Sequence, residues 1–262
     1  MDPRVVQRTT ILERADTLLL SSLHLDENYL FGDERVQSRQ EVAFSCNGSR
    51  CVTSNGSVIT IDDFFDSDID LKEISIGERD GFNTVMVAGG FDPSQSVPRI
   101  TFTQFPDIQA YGLWGEHGYA AVEIASGPAV GRANGDFFSG EIDLAGAYAV
   151  GMTTGSNPSG VGGATWNGIA EATSTRTFIR RAGTALASIP DLSNPLISID
   201  IDLPDIVSLS WDDMRLDNGR YEAGTAGSNH LVGDFYGPDH RETYGIFDTG
   251  AYVGAFGAKR RE

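Results

Sequence analysis

Residues 230–258 read HLVGDFYGPDHRETYGIFDTGAYVGAFGA. Three short runs, HLVGDFYG, RETYGIF and AYVGAFGA, are separated by turn residues, Pro238-Asp239 and Asp248-Thr249-Gly250. Breakers this close together leave no room for a helix, so the runs predict antiparallel strands joined as hairpins. In the middle run Tyr244 and Ile246 fall on one side, and Thr243, Gly245 and Phe247 on the other. In the last run Tyr252, Gly254 and Phe256 alternate with Val253 and Ala255. Side chains of a strand point alternately to its two faces. Apolar residues on both faces therefore predict a second cover, supplied by the N-terminal part of the chain or by a partner.

The same grammar extends upstream. AGAYAVGM, ATWNGIAEA, ISIDIDL, DIVSLSW and NGRYEAG bring the count to eight candidate strands with no helix between them. Such a meander predicts an all-β fold. Of the 31 glycines, 24 lie in residues 112–262. Glycine inside strands marks bends and close packing, which a strongly curved small barrel needs. Closure of eight strands also removes exposed edges; an open sandwich is the alternative. Trp166 and Phe256 are flanked by small residues (Ala164 and Gly168; Gly254 and Gly257) and are predicted to pack inside, with Phe235 and Phe247 as further filling.

Before residue 141 the pattern is looser. The runs EVAFSC, SVITI, NTVMVAGG and RITFTQF predict a small β domain over residues 41–140. Over residues 7–24, Ile11, Leu12, Ala15, Leu18, Leu19 and Leu23 form one stripe at helical spacing, behind Thr9 or Thr10 as a cap. This predicts a short helix within an N-terminal arm, residues 1–40. Leu18-Leu19-Leu20 follows Glu13 and Asp16, so the start does not read as a signal peptide. No apolar run reaches the ~20 residues of a membrane helix.

The chain has 262 residues and a formal net charge of −18. The length allows one large β domain or two small ones. The charge argues against nucleic acid as partner and against a basic patch docking on an anionic membrane.

Candidate chemistry is sparse. His24, His117, His230 and His240 show no metal-ligand spacing, and His240, in a turn, is expected to be solvated. The runs GMTTGSNPSG and TAGSNH lack the G-x-S-x-G elbow. Asp66, Asp68 and Asp70 begin like a calcium loop, but Leu71 and Gly77 stand where an EF-hand needs Gly and Glu. Looser calcium binding there stays open. Asp200, Asp202 and Asp205 alternate with Ile197, Ile199, Ile201 and Leu203 and predict a solvated polar face. No phosphate-loop glycine pattern follows a strand and opens a helix. We expect no catalytic residue, cofactor or metal. Cys46 and Cys51 flank Asn47-Gly48, a turn signal that brings two Cβ atoms together, so a hairpin disulfide and two free thiols are both readings.

The run GDFYGPDHRETYGIFDTGAYVGAFGAKR, Gly233–Arg260, resembles the closing hairpins of the transferrin-binding-protein-B-like β-barrel family. GSNPSGVGGATWNGIA, from Gly155, resembles that family's approach to the barrel, and IDIDLPDIVSLSWDDM its middle strands. SCNGSRC and YGLWGEHGYA are similar to the N-terminal half of bacterial single-barrel members. The resemblance implies an eight-stranded antiparallel barrel over residues 141–262, preceded by a small β handle domain. It also implies a Gram-negative source, display at the outer membrane surface, often by a lipid anchor, and capture of host proteins or other ligands by handle loops and barrel rims. It places Cys46 and Cys51 in an exported, oxidising setting.

The sequence departs from the family pattern in three ways. It has one barrel, no lipobox cysteine near Met1, and Thr243–Asp248 where the family often has V-G-G-V-F-E. No transferrin-contact motif matches, so transferrin binding does not carry over. The expected role is a non-enzymatic surface or exported module binding an unknown protein or small ligand, with Tyr111, Trp114 and Tyr119 as aromatic anchors or, equally, as handle core. The alternatives are a surface glycan hydrolase and a purely structural barrel.

Overall fold

The computed structural model describes residues 17–26, 35–38, 44–47, 50–53, 58–60, 69–91, 100–104, 107–133, 136–151, 154–204, 207–225 and 228–261. In chain order the first strands are β1 Thr17–Asp26, β2 Arg35–Ser38, β3 Phe44–Asn47, β4 Arg50–Thr53 and β5 Val58–Thr60. Next come β6 Ile69–Arg79, β7 Phe82–Phe91, β8 Ile100–Gln104, β9 Ile108–Trp114, β10 Gly118–Ala133 and β11 Asp136–Gly151. The last eight are β12 Ala164–Ser174, β13 Arg180–Ile189, β14 Leu196–Leu203, β15 Val207–Asp217, β16 Arg220–Thr225, β17 Ser228–Tyr236, β18 Glu242–Asp248 and β19 Tyr252–Arg260.

Strands β12 to β19 pair in sequence order and close into a barrel, β12 meeting β19 from Trp166–Arg260 to Ser174–Tyr252. The eight-stranded antiparallel barrel expected from the sequence is present, but its membership differs. AGAYAVGM belongs to β11, in the N-terminal sheet, and the barrel's second strand is RRAGTALASI, which the pattern did not single out. That strand turns Ala185, Ala187 and Ile189 inward, and two alanines give little hydrophobic signal.

A second sheet holds strands in the order β2-β1-β11-β10-β9-β7-β6, with β8 beside β10; β3, β4 and β5 form a separate small sheet. The large sheet runs through Gly151, across residue 141, and the barrel begins at Ala164. The helix expected over 7–24 is corrected in its described part. Thr17–Asp26 is a strand, paired with β11 from Thr17–Gly151 to Asp26–Asp143. A short apolar run fits either period, and pairing with a neighbouring strand decides it. Residues 7–16 lie outside the described residues.

Two apolar clusters explain why the barrel wall is apolar on both faces. Inside lie Trp166, Trp211, Tyr221, Phe235, Phe247 and Phe256, all nearly inaccessible. Outside, Ile169, Val232, Tyr244, Ile246, Val253 and Ala255 pack against Phe82, Leu113, Ala120, Val122, Ala147 and Ala149 of the large sheet. The expected cover is therefore the chain's own N-terminal sheet. Glycine makes room for the rings: a Cβ on Gly245 would strike Phe256, and one on Gly254 would strike Phe247. Along β14, Ile197, Ile199, Ile201 and Leu203 point in, while Asp200 and Asp202 are exposed, as the alternation predicts. Asp205 lies outside the described residues.

Candidate binding site

The barrel lumen is the first place to look for a ligand, because eight strands leave space either for side chains or for one small molecule. Here side chains take it. Trp166 packs at a tilt with its ring 4.9 Å from Phe235, and Phe235 lies 5.9 Å from Tyr221. Trp211 lies 5.8 Å from Phe247. The indole N–H groups are satisfied by backbone, Trp166 Nε1 donating to His240 O at 2.6 Å and Trp211 Nε1 to Asn229 O at 2.8 Å. The Tyr221 hydroxyl shares a 2.6 Å hydrogen bond with Thr243 Oγ1.

Two buried carboxylates tie the sheet to the barrel wall. Glu242, at the start of β18, accepts hydrogen bonds from the backbone N–H of Glu116 and of His117, each at 2.8 Å, and from the Tyr244 hydroxyl at 2.9 Å. The Tyr244 oxygen in turn accepts from Gly115 N at 2.8 Å. The β9–β10 turn is thus held on the barrel by one fully bonded carboxylate, which is how a buried charge is tolerated. Glu171, on the outer face of β12, receives Arg180 in two parallel bonds of 2.8 and 2.9 Å and Arg79 at 3.2 Å. Arg79 also donates to Ala170 O at 3.0 Å. The β6–β7 hairpin is thereby pinned to the wall. Sequence reasoning missed both carboxylates; the available signal was a lone acid inside an apolar strand, as in ATWNGIAEATS.

Burial pushes the Tyr221 phenol far up, and burial followed by the Glu242 charge does the same to Tyr244. Both stay protonated in the fold at a pH where the unfolded chain ionises them. A raised folded-state value means stability is level below the unfolded value of about 10 and falls above it. Urea unfolding is expected to show that decline, at up to about 1.4 kcal/mol per pH unit for each phenol. A flat profile through pH about 11 contradicts the burial of both hydroxyls.

The predicted aromatic anchors separate. Of its two readings, anchor or handle core, Tyr119 fits the second: it is 3% exposed, with its ring over Gly112. On β10 its neighbour Ala120 faces the barrel with Leu113 and Val122, so alternation turns Tyr119 to the other face of the sheet. Tyr111 is half-buried, donates to Gln109 Oε1 at 2.8 Å, and carries the Arg180 guanidinium 4.4 Å from its ring centre. The side chain of Trp114 lies outside what the structure describes. Cys46 stands directly opposite Cys51 across the β3–β4 hairpin.

Two of the histidines make packing and hydrogen-bond contacts within the fold. His230 is buried with Nε2 3.0 Å from Glu222 Oε1. His240 is not the solvated turn residue expected: its Nε2–H donates to Ser156 O at 2.8 Å and its ring meets Phe235 edge-on at 5.6 Å. The reason is that Pro238–His240 folds back over the barrel end, where the ring covers Phe235. Of the calcium-like aspartates, Asp66 and Asp68 lie outside the described residues. Among the described residues no three His, Cys, Asp or Glu side chains gather as a metal site, and no helix is long and apolar enough to cross a membrane.

Open depressions surround the barrel. One of about 940 Å³ lies on its outer wall between Asp80, Leu186, Asp202 and Lys259. Two smaller ones, of about 560 and 550 Å³, lie at its end around His240 and around His117 and Arg241. Arg260 borders all three.

No family model and no curated protein matches the chain. Solved structures similar to it include intact Ap-TbpB with its N and C lobes, at 15% identity and a TM-score of 0.40, covering 92% of this chain and 46% of that one. A transferrin binding protein B double mutant from Haemophilus parasuis Hp5 matches at 12% identity and a TM-score of 0.41, covering 89% and 55%. The N-lobe domain of lactoferrin binding protein B of Moraxella bovis matches at 10% identity and a TM-score of 0.41, covering 93% and 99%. The chain spans about half the length of the first two. The likeness is distant, and the barrel assignment rests on this chain's own strand pairing.

Proposed function

We propose that the protein is a non-enzymatic binding module, exported and displayed at the outer surface of a Gram-negative cell, that holds a protein ligand on the handle and on the rim outside the barrel. One observation carries this reading: the lumen is filled by Trp166, Trp211, Tyr221, Phe235, Phe247 and Phe256. A packed barrel is a rigid scaffold, and recognition then belongs to what projects from it. The likeness of Gly233–Arg260 to the closing hairpins of transferrin-binding-protein-B-like barrels supports the same role. Residues 17–151 form the handle and 164–260 the barrel in this reading, with Tyr111 and Trp114 as the handle's aromatic contacts.

Immobilised wild-type protein is expected to retain a partner from host extract, and a folded variant with Tyr111→Ala and Trp114→Ala to lose it. Equal retention by that variant removes the handle from the site. Turnover of a glycan or ester by purified protein, abolished by changing one carboxylate, overturns the non-enzymatic reading.

The export reading also predicts a Cys46–Cys51 disulfide. Asn47 pairs with Arg50, so the loop between them has two residues and Cys46–Cys51 is the next pair along. In such a hairpin that pair is not hydrogen-bonded and its Cα atoms lie about 4.5 Å apart, within disulfide range. Mass spectrometry of alkylated, unreduced, exported protein is expected to find neither cysteine alkylated. Two alkylated cysteines contradict it. Loss of the bond is expected to cost little, because the loop it closes is short.

A further inference from the structure

We propose that the closing end of the barrel binds a compact multivalent phosphate, through the guanidinium groups of Arg241, Arg260 and Arg261. Lys259, Arg260 and Arg261 are consecutive at the end of β19, and Arg241 is brought beside them because its carbonyl accepts Arg260 N at 2.8 Å. The four cations border one depression of about 550 Å³, together with His117. That volume suits a small ligand more than a protein surface.

Two of the four cations are positioned by contacts, and none of the four makes an ion pair among the described residues. Elsewhere Arg79 and Arg180 share Glu171, and Arg220 sits on Glu222. At the barrel end, among the described residues, no carboxylate lies within ion-pair distance of Arg241, Lys259, Arg260 or Arg261. Arg260 is set by donating to Asp239 O at 3.0 Å and by lying 5.6 Å from the Trp166 ring, and it borders the depression. Lys259 is tethered to Gly81 O and lies over Phe82, adding charge more than contacts. Three carboxylates also border the site. Glu242 accepts two backbone N–H groups and the Tyr244 hydroxyl, which hold its carboxylate against the β9–β10 turn. The other two belong to Glu116 and Asp239, both on exposed residues.

The rest of the molecule decides the size of the ligand. A net charge of −18 repels an extended polyanion such as nucleic acid or an anionic membrane. A compact phosphate ester meets only the local cationic rim, and the planar guanidinium fork matches phosphate oxygens in pairs.

Calorimetric titration of the full chain with sodium tripolyphosphate at low salt tests this. Wild type is expected to bind one equivalent. The variant R241A/R261A, both exposed and outside the core, is expected to bind at least about tenfold more weakly, as the loss of charge-assisted hydrogen bonds requires. R176A/R215A, two exposed arginines placed elsewhere in the fold, is expected to match wild type. Absence of binding by wild type, unchanged affinity in R241A/R261A, or equal loss in R176A/R215A overturns the proposal. A parallel arm uses phosphatidylcholine vesicles with and without phosphatidic acid. Arginine-dependent binding to those vesicles without binding of tripolyphosphate also overturns it, since the phosphate is then a lipid surface.

Discussion

Replacing Trp166 with alanine is expected to destabilise the protein by about 3–5 kcal/mol, the range for removing a large buried ring. The indole is wholly inaccessible and packs 4.9 Å from Phe235. The wall beside it is close-packed: a Cβ on Gly168 would already collide with Gly257 and Ala258. The same change leaves the His240 carbonyl without its 2.6 Å donor and takes away the ring beneath Arg260. Urea unfolding reads the effect as a lower midpoint. Trp166→Phe, which keeps most of the ring and loses the N–H, is expected to cost less. A midpoint unchanged in Trp166→Ala contradicts a filled lumen.

Glu171→Ala is expected to cost about 1–3 kcal/mol, because one buried carboxylate serves two arginines that stay partly exposed without it. Glu171 is 1% exposed on its side chain, with Arg79 at 3.2 Å and Arg180 at 2.8 Å. Removing it leaves two cations facing each other over the barrel wall, with the Arg180 guanidinium still held on Tyr111 at 4.4 Å. The sheet–barrel junction is then the first region to open. Hydrogen exchange is expected to accelerate in β6 and β7 before β17 and β18. The triple variant Arg79→Met, Glu171→Met and Arg180→Met removes all charges together, and it is expected to recover part of the loss. Uniform acceleration across the barrel contradicts the local role of the pin.

Strand alternation made the barrel legible from its last hairpins. Tyr244 and Ile246 against Phe247 showed two apolar faces, and both faces are packed. What alternation does not carry is pairing. AGAYAVGM reads as a barrel strand by composition, yet its partners are β1 and β10, because pairing is a long-range choice that a short run does not encode. RRAGTALASI is hard to see for the opposite reason, since its inward residues are mostly alanine. The 7–24 stripe fits a helix until β11 supplies a strand for Thr17–Asp26 to pair with.

The site was less legible than the fold. Glu171 and Glu242 look like ordinary surface acids until the sheet folds over them. Arg241 and Arg260 are 19 positions apart and meet only through the β18–β19 hairpin. Tyr119 illustrates the converse. A ring in a glycine-rich run looked available for binding, and the neighbouring Gly112 is where that ring packs.

A barrel filled by its own side chains leaves recognition to surfaces outside the lumen. Titration of wild-type protein with palmitate and with retinol, followed by tryptophan fluorescence, tests it most directly, because Trp166 and Trp211 both point into the lumen. No saturable change is expected with either ligand. A saturable, one-to-one quenching that persists in a folded handle variant contradicts it.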